Sequence, residues 1–394
     1  MINQIKKSYP WRIIDRVLKT MASNTKLDVV KTLNVYLGSD PEFFFKRDDK
    51  VIGSEALIPA DGEYYLGKTY VPYGSQKNPR FVRDGVQVEL NPMYYTCRGS
   101  MGNEFRNAFL HLQKMLKAEP KIKACFSRSV RILKSELMKL DPKNQVFGCM
   151  PSKNAYGEDN SMYLASVDAT KYRIRSAGGH IHISPYSDPA LDKMIKEHPE
   201  VLVKLLDIVV GNTCVMIDRE PGNKIRRKLY GRAGEYRTPK HGVEYRVLSN
   251  FWLEACQLMS LSMALVRLTC NIVSSGDKNV KAFLDAVDEE DIRNAINHND
   301  LKLAQKNWKA IKPLFEQAVG TFGEFYGVCK GTMPEFEYFL QMIEEKGLKH
   351  WFDTSDPVKH WAGVGDAHNY GFNLFLIGAV RSQLAKVKAK SLTV

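Results

Sequence analysis

The sequence predicts an α+β protein, in which a sheet of short strands is packed by helices and further helical segments lie at both ends of the chain. Residues 80–92 and 172–185 alternate apolar and polar side chains, as strands with one buried face do. Residues 100–118 repeat apolar side chains at helical spacing. With 394 residues, 44% of them hydrophobic and 26% charged, the chain can form a large globular core.

The N-terminal residues 1–32 are expected to form a helical extension. Ile13, Ile14, Val17 and Leu18 would form one apolar stripe along this helix. The segment carries seven Lys or Arg and two Asp, so its other face is expected to be solvated.

Residues 33–275 are predicted to form one domain of a catalytic type, since no internal repeat, low-complexity segment or linker interrupts them. Its main strands are expected at 33–47, 80–92, 172–185 and 242–252. Its helices are expected at 100–118, 197–218 and 253–275. Ser100 is the expected N-cap of the first helix. Residues 276–394 are mainly helical in pattern and are predicted to pack on this domain.

Several features indicate a cytoplasmic protein without a membrane partner. The most apolar stretch, 253–275, contains Glu254 and Arg267 and is expected to be a buried helix. The N-terminus shows no apolar core of a secretory signal. The seven cysteines are scattered without a CxxC pair, which is typical of reduced thiols and argues against a structural zinc site.

The charge distribution predicts an anionic substrate or partner. The net charge is +13, and residues 219–246 contain nine Lys or Arg against three Glu. This arginine run includes Arg226, Arg227, Arg232, Arg237 and Arg246, whose side chains can neutralise phosphate or carboxylate oxygens. The alternative interpretation of the run is a nucleic-acid-binding surface.

Four predicted strands have an apolar face and a face of charged or imidazole side chains, because residues two apart share a face. The residues of these polar faces are Asp40 and Glu42, Gln87 and Glu89, His180 and His182, and Glu244 and Arg246. Each pair alone has an ordinary structural explanation, such as a solvated turn or a cross-strand ion pair. Together they predict a site for Mg²⁺ or Mn²⁺, which bind carboxylates and a few imidazoles.

The order of these motifs resembles that of the glutamine synthetase-like carboxylate–amine ligases, and more narrowly the phage and bacterial amidoligases of COOH–NH2 ligase type 2. The resemblance spans about residues 35–275. It is carried by the stretches GSDPEFFF, DGVQVELNP, GGHIHIS, YGRAGEYR and GVEYRVLSNFW. It implies a half-barrel of antiparallel strands that holds Mg²⁺ ions and ATP.

The resemblance also implies roles for individual residues. The implied metal ligands are Asp40, Glu42, Glu89, His180 and Glu244, with Asp84 joining through water. The implied nucleotide-binding residues are His182, Arg226, Arg232, Arg237 and Arg246. Glu89, Arg237 and Arg246 are the implied catalytic residues. Relatives usually carry Glu at the position of Asp40.

The predicted activity is therefore an ATP- and Mg²⁺-dependent ligase that joins a carboxylate to an amine through an acyl phosphate. The expected partners are ATP and small-molecule or peptide substrates, with nucleic acid or another polyanion as a further partner. The expected location is the cytoplasm, which is the host cytoplasm if the chain is phage-encoded, as the resemblance implies. Two alternatives remain: a basic nucleic-acid-binding protein with a degenerate site, and a metal-dependent hydrolase.

Overall fold

A computed structural model of the protein describes residues 35–69, 78–96, 98–145, 152–157, 169–185, 187–322 and 355–363. The predicted helical extension at 1–32 lies outside these residues, as do 323–354 and 364–394 of the predicted C-terminal region. The division of the chain after residues 32 and 275 stays a prediction.

The described residues form a mixed helical and antiparallel fold, with a half-barrel of strands covered by helices. The strands are β1 (Tyr36–Ser39), β2 (Glu42–Arg47), β3 (Lys50–Ile52), β4 (Glu63–Tyr64), β5 (Arg80–Asp84), β6 (Gln87–Asn91), β7 (Ile122–Cys125), β8 (Ser129–Arg131), β9 (Lys153–Asn154), β10 (Ile174–Ser176), β11 (Ile181–Ser184), β12 (Glu235–Arg237) and β13 (Val243–Tyr245). The α-helices are α1 (Arg98–Ala118), α2 (Lys134–Leu137), α3 (Pro189–Glu197), α4 (Pro199–Leu206), α5 (Asn212–Ile217), α6 (Gly222–Arg226), α7 (Cys256–Ser274), α8 (Asp277–Asp285), α9 (Glu289–His298), α10 (Leu301–Phe322) and α11 (Pro357–Ala362).

Two sheets carry the site. Sheet I has the strand order β1-β11-β13-β12-β9, and sheet II has the order β3-β2-β6-β5-β4 with β7 also paired to β2. All of these pairs are antiparallel. The mixed helix-and-sheet class predicted from the sequence is confirmed.

The chain passes from sheet I to sheet II at Asp40 and Pro41, between β1 and β2. Proline has no N–H to continue a strand ladder, which suits it to this crossing. The crossing is held by backbone hydrogen bonds: the Glu42 amide donates to the Gly178 carbonyl (2.9 Å), and the Leu90 amide donates to the Pro41 carbonyl (2.9 Å).

The apolar faces of the site strands lie in the main core, as the alternation predicts. Ile181 and Ile183 of β11 and Val243 and Tyr245 of β13 are fully buried there. The core also contains apolar side chains of α4 and α7. Burial of these faces supplies the apolar free energy that holds the polar faces in place.

A turn of π-helix, Asp207–Gly211, is attached to sheet I by hydrogen bonds to Asp207. Asp207 accepts hydrogen bonds from the Tyr245 hydroxyl (2.7 Å), the Tyr156 hydroxyl (3.0 Å) and the Gly234 amide (2.6 Å). These bonds tie the helix to β13 and to the turn before β12. Glu244 and Arg237 are thereby held in register.

Two predicted helix limits are wrong. The helix expected at 197–218 begins two residues later, at Pro199, because Glu197 ends α3 and the backbone of His198 is not helical (φ −139°, ψ 50°). Pro199 explains this break, because proline disfavours helical geometry in the residue before it. Helix α1 begins at Arg98, so Ser100 lies inside its first turn and is not the N-cap.

The described residues of the C-terminal region, 276–322 and 355–363, are mainly helical. Trp361 of α11 is fully buried, stacks on Phe109 of α1 (ring centroids 5.3 Å apart) and donates from Nε1 to the Leu253 carbonyl (2.8 Å). Among the helices of the described residues, none combines the length and apolar character needed to cross a bilayer.

The packing of Trp361 gives a test of how firmly α11 is attached. Trp361→Ala should lower the free energy of unfolding by about 3–5 kcal/mol, because it removes a buried indole and leaves a cavity. Urea unfolding measures this change. Leu133→Ala is the control, since Leu133 is 54% exposed and its change should stay within about 0.5 kcal/mol. Equal stability of the two variants would contradict the observed packing.

Candidate active site

Charged side chains gather where sheet I meets sheet II. We call Asp40, His180, His182 and Glu244 the histidine cluster, and Glu42, Asp84 and Glu89 the acid cluster. Ligand atoms of Asp40, His182 and Glu244 lie within 4.8 Å of one another, and so do those of the three acid-cluster residues. The crossing at Pro41 therefore delivers one acid to each cluster.

Antiparallel pairing brings the other members together. In sheet I, His182 lies opposite Glu244, and Glu244 lies opposite Arg237. In sheet II, Glu42 lies opposite Glu89. Residues that are far apart in the sequence thus become cross-strand neighbours on the polar face.

The polar atoms of the histidine cluster converge on a shared space. His180 Nδ1 lies 2.9 Å from Asp40 Oδ1 and 3.5 Å from Glu244 Oε1, and His182 Nε2 lies 3.2 Å from Asp40 Oδ2. Asp40 Oδ1, His180 Nδ1 and His182 Nε2 are buried, yet none of them meets hydrogen-bond geometry. Close approach without hydrogen bonding fits atoms arranged around a cation.

Opposite charges balance within this cluster. Burial would raise the pKa of Asp40, but His180 and His182 hold it well below its ordinary value. Burial would also raise the pKa of Glu244, and His180 together with Arg237 lowers it. Burial would lower the pKa of His182, but Asp40 raises it. Both carboxylates therefore remain ionised and able to bind a cation.

The acid cluster lacks this balance. Burial and the charge of Asp84 raise the pKa of Glu42 to about 8, although the Gly178 amide donates to Glu42 Oε2 (2.6 Å). Burial and Asp40 raise the pKa of Asp84 to about 6. Burial and the neighbouring acids raise the pKa of Glu89 well above its ordinary value. Three close carboxylates must hold protons or share a cation, and their oxygen-only ligand set fits Mg²⁺.

The acid cluster is also reachable. Glu42 is buried, whereas Asp84 and Glu89 are partly exposed. Asp84, which the sequence suggested as a partner through water, contributes a carboxylate directly to this group.

Two of the predicted arginines reach the histidine cluster through Glu244. Arg237 binds it at two points, with Nε 2.7 Å from Oε2 and Nη2 2.6 Å from Oε1. Arg246 is buried, lies 3.1 Å from Glu244 Oε1 through Nε and donates from Nη1 to the Ser152 hydroxyl (2.6 Å). The Arg237 side chain is 32% exposed, so incoming phosphate oxygens could reach it.

Arg226 has a different environment from the one expected of a phosphate ligand. Its buried guanidinium donates to the backbone carbonyls of Arg246, Val247 and Leu248 at 2.9–3.1 Å. These bonds hold the chain that follows β13. Arg232 lies half-buried in the turn before β12, and its nucleotide-binding role stays a prediction.

Sequence reasoning missed two side chains at the site. The Tyr230 ring lies beside the guanidinium carbons of Arg226 and Arg246, 4.7 and 5.0 Å from its centroid, and meets His180 edge-on. His241 Nε2 lies 3.0 Å from His182 Nδ1. Tyr230 belongs to the quoted YGRAGEYR motif, which is a usable signal, but no sequence pattern pairs His241 with His182.

Comparison with known proteins identifies the family. The family described as "Phage phiEco32-like COOH.NH2 ligase-type 2" matches residues 152–362, more than half of the chain. No curated protein matches the sequence significantly. Among solved structures, a bifunctional glutathione synthetase from Pasteurella multocida is similar with 9% identity and a TM-score of 0.42, over 88% of this chain and 52% of that one. The chain thus spans about half the length of that enzyme.

The matched range contains His180, His182, Glu244 and the arginine run, whereas Asp40 and the acid cluster precede it. It also continues past residue 275 to include α8–α11. The family resemblance read from the motifs is confirmed, and the chain belongs to the phage phiEco32-like COOH–NH2 ligase type 2 family of carboxylate–amine ligases.

Proposed function

We propose that the protein uses ATP and Mg²⁺ to join a carboxylate to an amine through an acyl phosphate, giving an amide or isopeptide bond. The observation that carries this proposal is the acid cluster beside the histidine cluster, with Arg237 and Arg246 at their edge. Carboxylate activation by ATP requires neutralisation of phosphate charge, which this set of side chains is equipped to provide.

The metal ligands we propose are the two clusters. Glu42, Asp84 and Glu89 would hold one Mg²⁺, and Asp40, His180 or His182, and Glu244 a second divalent ion. When bound, such ions supply Lewis-acid neutralisation of phosphate oxygens.

The arginines would complete the phosphate site. Glu244 now shares its oxygens with Arg237 and Arg246. If Glu244 turns its lone pairs to a cation, the exposed fork of Arg237 becomes available for a phosphate oxygen. We leave Arg226 out of this set, because its Nη1 and Nη2 groups donate to backbone carbonyls.

In the reaction, the substrate carboxylate attacks the γ-phosphoryl group of ATP, and ADP leaves. The amine then attacks the acyl carbon and displaces phosphate. Glu89 is one of the proposed Mg²⁺ ligands, so its role in this scheme would be to hold the ion, and the proton that the amine loses passes to solvent.

The first test is calorimetric titration of ATP with and without Mg²⁺. The wild type should bind ATP with Mg²⁺, and Glu42→Gln and Glu244→Gln should each weaken binding about tenfold or more, because each removes a charged ligand. Glu197→Gln on the exposed end of α3 is the matched control and should bind as the wild type does. Absence of Mg²⁺-dependent ATP binding in the wild type would refute the proposal.

The second test addresses the acyl phosphate. Carboxylates labelled with ¹⁸O should be screened with ATP, Mg²⁺ and hydroxylamine as a small amine. An accepted carboxylate should yield a hydroxamate and transfer one ¹⁸O to the released phosphate, as detected by mass spectrometry. Cleavage of an amide without nucleotide would support the hydrolase alternative instead.

The third test uses pH. Below its unfolded pKa near 4.5, Glu42 is protonated in both states; between that value and about 8, only the folded protein keeps the proton. Without metal, the free energy of unfolding of the wild type should therefore fall as pH rises through this window. The free energy of unfolding of Glu42→Gln should fall less steeply, because the variant lacks this proton-binding group. Added Mg²⁺ should flatten the wild-type slope. Urea unfolding at about pH 5, 6.5 and 8 measures these slopes, and identical slopes for both proteins would show that Glu42 does not hold this proton.

The burial of three of the five arginines in the run disfavours the nucleic-acid-binding alternative. Arg226, Arg227 and Arg246 are each at most 3% exposed, so they are not part of a solvent-facing phosphate-binding surface. Nucleic-acid contact stays a prediction from the net charge alone.

A further inference from the structure

The hairpin between β12 and β13 carries His241 to the edge of the histidine cluster. His241 Nε2 lies 3.0 Å from His182 Nδ1, and the two ring planes are nearly parallel, at 14°, with centroids 5.2 Å apart. A short N···N contact between rings in this arrangement is a hydrogen bond between ring edges.

The hairpin tip holds His241 in place. Gly242 has φ +150°, and a Cβ on it would come within 1.9 Å of the Ile183 carbonyl oxygen on β11. Its amide donates to the Pro239 carbonyl (3.0 Å), and Lys153 Nζ donates to the Thr238 hydroxyl (3.0 Å). The tip is therefore pressed against the strand that carries His182.

The direction of the histidine–histidine bond decides what His182 can bind. An imidazole that binds a metal is neutral, with one N–H and one lone pair. If His182 Nδ1 donates to His241 Nε2, the lone pair of His182 is on Nε2, which faces Asp40. The opposite direction would put a proton on Nε2, yet Nε2 lies 3.2 Å from Asp40 Oδ2 without hydrogen-bond geometry.

We propose that His241 is a positioning residue that accepts the Nδ1 proton of His182 and so keeps His182 Nε2 ready to bind a divalent cation. Metal-binding histidines commonly donate their second ring N–H to such an acceptor, which fixes both tautomer and ring orientation. This inference rests on the proposed function in one respect: a cation must bind at the histidine cluster.

The test is a titration of the metal-free protein with Mn²⁺, in which electron paramagnetic resonance measures the concentration of free Mn²⁺. Thermal unfolding of each variant is measured in parallel. His241→Phe keeps a flat ring but no acceptor, and should weaken binding at one Mn²⁺ site about tenfold or more. His241→Gln offers an acceptor oxygen and should stay within about threefold of the wild type. His241 is exposed, so both variants should unfold at the wild-type temperature.

His298→Ala is the matched control, since His298 is also exposed but lies at the end of α9. Unchanged Mn²⁺ affinity in His241→Phe would overturn the positioning role and leave the proposed function standing. Equal weakening in His241→Phe and His241→Gln would overturn the acceptor role. A wild type that binds no Mn²⁺ would overturn the proposed function and this inference together.

Discussion

The removal of three neighbouring carboxylates, Glu42, Asp84 and Glu89, from water is the constraint on which the arrangement of the site depends. Their carboxylate oxygens lie within 4.8 Å of one another, and the nearby Asp40 adds to the charge. Such a group is costly to assemble unless protons or a cation offset it. Burial of the apolar faces of the same strands in one continuous core offsets this free-energy cost.

The two clusters offset negative charge in different ways. In the histidine cluster, imidazoles and the guanidinium groups of Arg237 and Arg246 lie against the acids. In the acid cluster, the hydrogen bonds from the Gly178 amide and the Asn91 side chain come from neutral groups. The first can exist at neutral pH with its acids ionised, whereas the second depends on protonation or on an added ion.

Strand alternation made the polar face of the site predictable. Residues two apart on a strand had to share a face, and the apolar neighbours of His182 and Glu244 are indeed in the core. Asp40 and Glu42 were expected on one face, but the chain crosses between the sheets at Pro41, and the two acids lie in different clusters.

Other features of the site could not be predicted from alternation. The sequence does not show which partner a long side chain reaches, so Arg226, which binds backbone carbonyls, could not be distinguished from Arg237, which binds Glu244. The contact of His241 with His182 depends on the bend of a hairpin tip, which is a tertiary property. The break at His198, by contrast, was present in the sequence as Pro199.

The three residues from Asp40 to Glu42 have a consequence for how the chain can vary. Asp40 lies in the histidine cluster and Glu42 lies in the acid cluster. The positions of both residues are fixed by two backbone hydrogen bonds, one from the Glu42 amide and one to the Pro41 carbonyl. One inserted residue would shift β2 by one position and turn Glu42 towards the core. The number of residues between Asp40 and Glu42 therefore matters as much as their charge, because it sets which cluster each carboxylate reaches.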